Sequence, residues 1–259
     1  VAKDVDEERR DEAPVTAASS VADGLLALIM GELMPGSSLP SEADLAERYD
    51  VSRLTVREAV KMLAGRGLLE LARGRRAVVR EPDGSAFGDF LTSLIQYDPK
   101  GLFDLVEVRA ALEIQSVTLA AKKASRAGLA AIENTIETMR NAAIDIKAGR
   151  DPEAAERRYH DADVGFHEAL AMASGNRILT YLFEAMASPL QESFYLTRRG
   201  HELRGHTPEH TINSHQTILK FVRQGDGRGA AEAMRTHLDD AERDIRLALG
   251  SRTAGPPRG

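Results

Sequence analysis

Arg53, Arg57 and Lys61 stand four residues apart in this chain, and that interval places them on one face of a helix. Arginines at the N-terminal end of a helix meet guanine O6 and N7 with paired hydrogen bonds when the helix lies in the major groove of B-DNA. Ser52 and Thr55 fall at the same end, where hydroxyls and free backbone N–H groups suit phosphate. A second group has different chemistry. Asp163 and His167 are spaced i, i+4, which brings a carboxylate and an imidazole to one helix face, and His215 and His237 follow in later helical segments. One carboxylate and three imidazoles form a competent shell for Zn²⁺, Ni²⁺ or Mn²⁺, with coordination positions left over for a ligand. Seven histidines in a helical chain offer many such trios. Spacing alone therefore leaves open the alternative that these are hydrogen-bonded or surface residues. His160, His201, His206 and His210 read as solvated or loop residues.

The elements that must hold the basic set run from Leu39 to Arg80. Ser41, with Asp44 three residues on, makes a capping-box start for a short helix. Tyr49-Asp50-Val51 turns the chain, and Ser52 caps the next helix. Along it Val56, Val60 and Leu63 recur at helical spacing and are expected to face a core. That leaves Arg53, Arg57 and Lys61 pointing away. Gly67 ends the helix. Leu68–Leu71 and Ala77–Val79 then flank Ala72-Arg73-Gly74-Arg75-Arg76, a hairpin with three arginines at its tip. This is a helix-turn-helix with a wing. Between Val51 and Arg80 eight Lys/Arg oppose two Glu, a local charge of +6 inside a chain whose total is −6. Such a concentrated patch is the footprint of a polyanion. An amphipathic helix over Val21–Leu33 (Val21, Leu25, Leu28, Ile29) is expected to pack behind it.

With 259 residues and 42% hydrophobic content the chain can hold two domains and bury a core in each. It has no cysteine, which removes disulfide and thiol chemistry and suits a reducing, cytoplasmic setting. There is no apolar run near the length of a membrane span. The first eighteen residues are charged and lack an apolar stretch, so they read as a disordered segment and not a signal peptide. Glu81-Pro82-Asp83-Gly84-Ser85 reads as a linker. Beyond it the pattern is helical throughout, broken at Pro99, Gly149–Pro152, Ser174–Asn176 and Gly225–Gly227. Six or seven helices joined by short loops predict an all-α bundle. The expected layout is a disordered segment over 1–18, a winged helix-turn-helix over 19–81, a linker over 82–86, an all-helical effector domain over 87–250 and a flexible tail over 251–259. The fold class is mainly α.

The run LPSE, VSRLTVREAVKML, GLLE and RGRRAVV resembles the winged helix of the GntR superfamily of bacterial transcription regulators. The resemblance implies that Arg53 and Arg57 read base edges, that Gly74 lets the wing tip enter the minor groove, and that Ser52, Thr55 and Arg73 are neighbouring DNA contacts. One departure is Ala43, where several members place an arginine after LPSE. The later segments DLVEVRAALE, DADVGFHEALAMASGN and HQTILKFVRQGDGRGAAEAMRTHL are similar to the effector domain of the FadR subfamily. That likeness implies a divalent metal on Asp163, His167, His215 and His237, a small carboxylate effector, and Arg109 as its anchor. The alternative for Arg109 is an ion pair with Glu113 at i+4 on the helix surface, worth ~0.3–0.5 kcal/mol.

The implied function is an operator-binding regulator, a homodimer acting on double-stranded DNA and released by its effector, with no catalytic residue and no membrane partner. A metal-dependent hydrolase with a fused DNA-binding domain is the alternative, with Glu168 beside His167 as its base. No P-loop, dinucleotide fingerprint or nucleophile elbow supports an enzyme.

Overall fold

The structure, a computed structural model, describes residues 16–81, 84–97 and 100–253. The lead-in before residue 16, the Pro82-Asp83 and Asp98-Pro99 steps and the tail from residue 254 lie outside them. The chain divides into two compact units at Ala86/Phe87. Among the described residues no helix is long and apolar enough to cross a membrane.

The first unit is built from α1 (Ala17–Gly31), α2 (Glu42–Arg48), α3 (Arg53–Gly65), β1 (Leu69–Glu70) and β2 (Val78–Val79). Thr16 caps α1, which starts four residues ahead of the expected Val21. Its buried face, Val21, Leu25, Leu28 and Ile29, packs on α3. The capping box of α2 is complete. Ser41 Oγ accepts from Asp44 N at 3.2 Å and Asp44 Oδ2 accepts from Ser41 N at 3.1 Å. On α3 the fully buried positions are Val56, Ala59 and Leu63, while Val60 is half-buried against the same core. Asp50 turns the corner between α2 and α3 with φ of 50°, a conformation that a short polar side chain tolerates better than most. The strands pair antiparallel with Leu69 opposite Val79 and Glu70 opposite Val78. Leu69 and Val79 are both buried, so the pleat turns one apolar pair inward and fixes the wing's register.

The second unit comprises α4 (Ser85–Tyr97), α5 (Gly101–Lys123), α6 (Arg126–Lys147), α7 (Pro152–Ala173), α8 (Arg177–Leu203), α9 (Pro208–Arg223) and α10 (Gly227–Thr253). Helix α4 begins inside the segment expected as linker, and Leu91 and Ile95, one turn apart, pack on the bundle. Helix α8 runs to Leu203 and carries Pro189 within it. A proline there deprives the carbonyl four residues back of its N–H. That carbonyl belongs to Ala185, and a Cβ at Gly88 of α4 would come within 2.7 Å of its oxygen. The backbone of α4 closes on the notch that Pro189 opens. One apolar core joins α5, α6, α7, α9 and α10, and a second joins α5 and α7 to α8 and α10. Phe166, Leu170, Ile218 and Leu190 are at or near full burial in them, each worth about 1.5–3 kcal/mol of transfer free energy.

Candidate DNA-binding face and candidate metal centre

Ser52 caps α3 by accepting from Thr55 N at 3.1 Å, and the Ser52 and Thr55 hydroxyls are 2.8 Å apart. Arg53, Arg57 and Lys61 are all exposed on the side away from the core. The helix thus presents its first turn and one basic face to solvent, as the interval between the three residues requires. Arg53 lines a shallow groove together with Gly74, Arg75 and Arg76 of the wing. Gly74 has φ of 74° at the tip, which lets the chain reverse without the strain a side chain would add. Arg73 is exposed on the wing but does not line this groove. The two arginines after the glycine do; the sequence puts all three at the tip, and the hairpin's twist decides which of them face the helix. Arg57 is held by a carboxylate, its Nε donating to Glu42 Oε2 at 2.7 Å. Lys61 Nζ donates to Glu58 Oε1 at 2.9 Å.

In the second unit the structure gathers His167 of α7, His215 of α9 and His237 of α10, with one ring nitrogen of each within 4.8 Å of the others. His215 Nε2 and His237 Nε2 are 3.4 Å apart. Two nitrogens bound to one tetrahedral ion at ordinary Zn–N lengths stand about 3.3 Å apart. Asp163 sits at the edge of this trio, with Oδ1 3.6 Å from His215 Nε2. Asp163 Oδ1 and His167 Nε2 are buried without a hydrogen-bond partner, which is costly unless something binds them. The donor set and its orphaned atoms fit a divalent ion.

Glu113 of α5 completes the arrangement. Its carboxylate holds His167 Nδ1 with one oxygen and Arg109 Nε with the other. A carboxylate behind a histidine fixes the tautomer and leaves Nε2 free for the metal. The ion pair of Arg109 and Glu113 is present, but it is buried and not on the helix surface, with both side chains 3% exposed. Arg109 also lies over the Phe194 ring, 4.3 Å from its centroid. Phe166 stacks on His215 at 3.7 Å and fixes the plane of that ring.

The charges follow from burial. Desolvation, then the neighbouring histidines and Arg109, pushes His215 and His237 well below the usual imidazole range. They are neutral, the form that coordinates. Burial raises Asp163 against the opposing pull of His167 and Arg109. Burial would raise Glu113 too, but Arg109 and His167 outweigh it and hold it at about 2.

A cavity of about 220 Å³ opens beside these residues, lined by Arg109, Asp163, His167 and His237. His160, His201, His206 and His210 line it as well. His206 lies in a loop and His210 is exposed, as expected, whereas His160 of α7 and His201 of α8 are half-buried on helices, which corrects their reading as solvated or loop residues. His160 lies edge-on to Phe194 at 5.6 Å, His201 belongs to α8 and His210 to the first turn of α9. Helices extend further here than local breakers suggested, because α8 continues against α10. Glu168 is not among the residues that line the cavity.

Two family models match the chain: bacterial regulatory proteins of the gntR family over residues 17–79, and the FCD domain over residues 104–240. The chain is 33% identical over 213 residues to the HTH-type transcriptional regulator LutR of Bacillus subtilis, covering 82% of this chain and 93% of that protein. It is 30% identical over 225 residues to the galactonate operon transcriptional repressor of Escherichia coli K12, covering 85% of this chain and 92% of that one. The solved structure of a Streptococcus agalactiae GntR protein superposes with a TM-score of 0.69 at 28% identity, over 87% of this chain and 99% of that chain.

Proposed function

The chain belongs to the GntR family of transcription regulators, with an FCD domain as its second unit, and from that premise we propose that it is a homodimeric repressor released from its operator by a small carboxylate. As a family member it is a DNA-binding regulator and not an enzyme, and the hydrolase alternative falls with that. The proposed regulator works in the cytoplasm, where the chromosome is. Arg53 and Arg57 read bases, Ser52 and Thr55 hold phosphate, and Gly74 with Arg73 brings the wing to the minor groove.

The observation that carries the effector reading is the placing of Arg109 on one cavity with Asp163, His167 and His237, the last two clustered with the buried His215. In this reading Asp163 joins the three histidines as ligands to Zn²⁺, Ni²⁺ or Mn²⁺. The bound ion supplies positive charge and open coordination positions. Arg109 gives Nε to Glu113 and still lines the cavity, so a carboxylate there meets two cationic anchors. About 220 Å³ suits a small acid, since pockets for drug-sized molecules run to roughly 300–1,000 Å³. A relative named for the galactonate operon supports a hydroxy acid.

To act as a switch, the acid must favour one arrangement of the paired winged helices over the other. A thermal-shift screen of hydroxy and dicarboxylic acids, followed by operator titration with each hit, tests this. We expect a hit to lower operator affinity by about 5–150-fold. Arg109→Lys keeps the charge but loses the fork, so it should blunt the response while sparing ligand-free operator binding. A wild-type response from that variant would remove Arg109 from the site.

A further inference from the structure

At the corner of α8 and α9 a second trio of imidazoles converges. His201 stands near the end of α8, His206 in the loop and His210 in the first turn of α9. One ring nitrogen from each lies within 4.8 Å of the others. The ring centroids are 5.3 Å apart for His201 and His206, 5.4 Å for His201 and His210, and 4.3 Å for His206 and His210. None of these residues belongs to the set of His167, His215 and His237.

We propose that His201, His206 and His210 form a second transition-metal site at the edge of the effector cavity, taking an imidazole-preferring ion such as Zn²⁺ or Ni²⁺.

Three neutral imidazoles with a position left open are a donor set for such ions, whereas Mg²⁺ and Ca²⁺ demand oxygen. Rotamer adjustment within a 4.8 Å cluster reaches the roughly 3.3 Å spacing that a tetrahedral ion imposes. The surroundings supply carboxylates, each with one oxygen toward Arg204 (Asp244 Oδ1 at 3.0 Å, Asp240 Oδ1 at 3.6 Å) and the other toward the histidines. Asp244 of α10 is fully buried, and its Oδ2 comes within 2.8 Å of His201 Nε2. That oxygen still makes no aligned hydrogen bond, and His206 Nδ1 is likewise buried without a partner. Two buried atoms without an aligned hydrogen bond, one of them in close contact with His201, stand beside three convergent rings, an arrangement that a bound ion would satisfy. Asp240 adds a carboxylate oxygen 3.9 Å from His210 Nε2.

The backbone packing that brings Asp244 there is specific. A Cβ on Gly200 of α8 would fall 2.2 Å from the carbonyl oxygen of Asp244. Only a glycine admits α10 this closely, and His201 is the next residue. An ion bound here ties the end of α8, the loop and the start of α9 together. Because His201, His206 and His210 all line the effector cavity, its occupancy would fix one wall of that cavity.

The test is Zn²⁺ stoichiometry on full-length protein made without a polyhistidine tag, stripped with chelator, and read by elemental analysis and calorimetric titration. Wild type should bind two ions per chain. His206→Ala and His210→Ala should each bind one, and retention of the ion that His215→Ala removes shows that the bundle of these variants is folded. His215→Ala should also bind one, lost from the other site. A protein whose ion count is unchanged by His206→Ala and His210→Ala overturns the proposal, as does a single wild-type ion that vanishes only with His215→Ala. A single ion lost with His206→Ala and kept with His215→Ala supports it, and then it is the His167–His215–His237 reading that fails.

Discussion

Arg57 of α3 and Glu42 of α2 form an ion pair at 2.7 Å on the face proposed to enter the major groove, with side chains 58% and 44% exposed. An exposed pair of this kind is worth about 0–1 kcal/mol, whereas a bidentate arginine–guanine contact discriminates by about 1–3 kcal/mol. On the proposed reading a guanine would therefore win the guanidinium from Glu42. Arg57→Ala and Arg53→Ala should each weaken operator binding by about 1–3 kcal/mol and relax sequence preference. Glu42→Gln should strengthen binding to every sequence, since it removes a competitor and a charge that repels phosphate. Fluorescence anisotropy on the operator and on scrambled DNA separates the two effects.

Lys61 pairs with Glu58 one turn earlier in α3, and in the proposed reading it touches phosphate and no base. Lys61→Ala should lower affinity for operator and scrambled DNA alike and reduce the slope of log K against log salt by about one. A loss confined to the operator would place Lys61 among the base readers.

The wing tip depends on Gly74, whose φ of 74° a side chain resists by about 1–2 kcal/mol. Gly74→Val should weaken operator binding without changing the thermal shift produced by an effector. Equal operator affinity in that variant would mean that the wing makes no contact there.

Glu113 ties His167 of the proposed metal centre to Arg109, so removing its charge has two readouts. Glu113→Gln should lower metal affinity about 10–100-fold, as loss of a supporting carboxylate does, measured by competition with a chelator. Its folded-state pKa of about 2 lies below the ordinary value of 4.5. A depressed carboxylate contributes stability that is fully present above its unfolded pKa and is lost as pH falls through its folded one. Stability of wild-type protein should thus decline from about pH 4.5 toward pH 2, and Glu113→Gln should flatten that part of the profile. A variant as acid-sensitive as wild type would assign the decline to other groups.

Metal removal offers the broadest check. Ligands on α7, α9 and α10 are joined by one ion in the proposed centre, so chelation should lower the melting temperature and His215→Ala should abolish most of the Zn²⁺ rescue. A ligand held at a hundred times its Kd stabilises by about 2.7 kcal/mol, a shift that calorimetry resolves. A chelated protein whose melting temperature does not respond to Zn²⁺, Ni²⁺ or Mn²⁺ would sink the centre.

Local chemistry is legible in a sequence wherever the interacting groups are near in the chain. The capping box of Ser41 and Asp44, the outward face of Arg53, Arg57 and Lys61, and the i, i+4 pairing of Asp163 with His167 all follow from helical geometry over a single turn. So did the division into a winged helix and a bundle, because apolar periodicity changes on either side of a proline and glycine break. The end of α10 was less readable, since the helix continues to Thr253, past the boundary expected at residue 250.

What only the tertiary structure decided was which distant side chains share a low-dielectric space. Arg109 and Glu113 carry the same i, i+4 spacing as an exposed pair; burial between α5, α7 and α8 is what turns that pair into a support for His167. His206 and His210 are four residues apart, but His206 lies before α9 begins and His201 ends another helix, so only the turn from α8 into α9, pressed on α10 at Gly200, brings their rings together. Sequence determines the residue types and the period of each element. The close approach of elements far apart in the chain sets which of those residues lose water and must find partners, and from that come the charges, the orphaned atoms and the cavity.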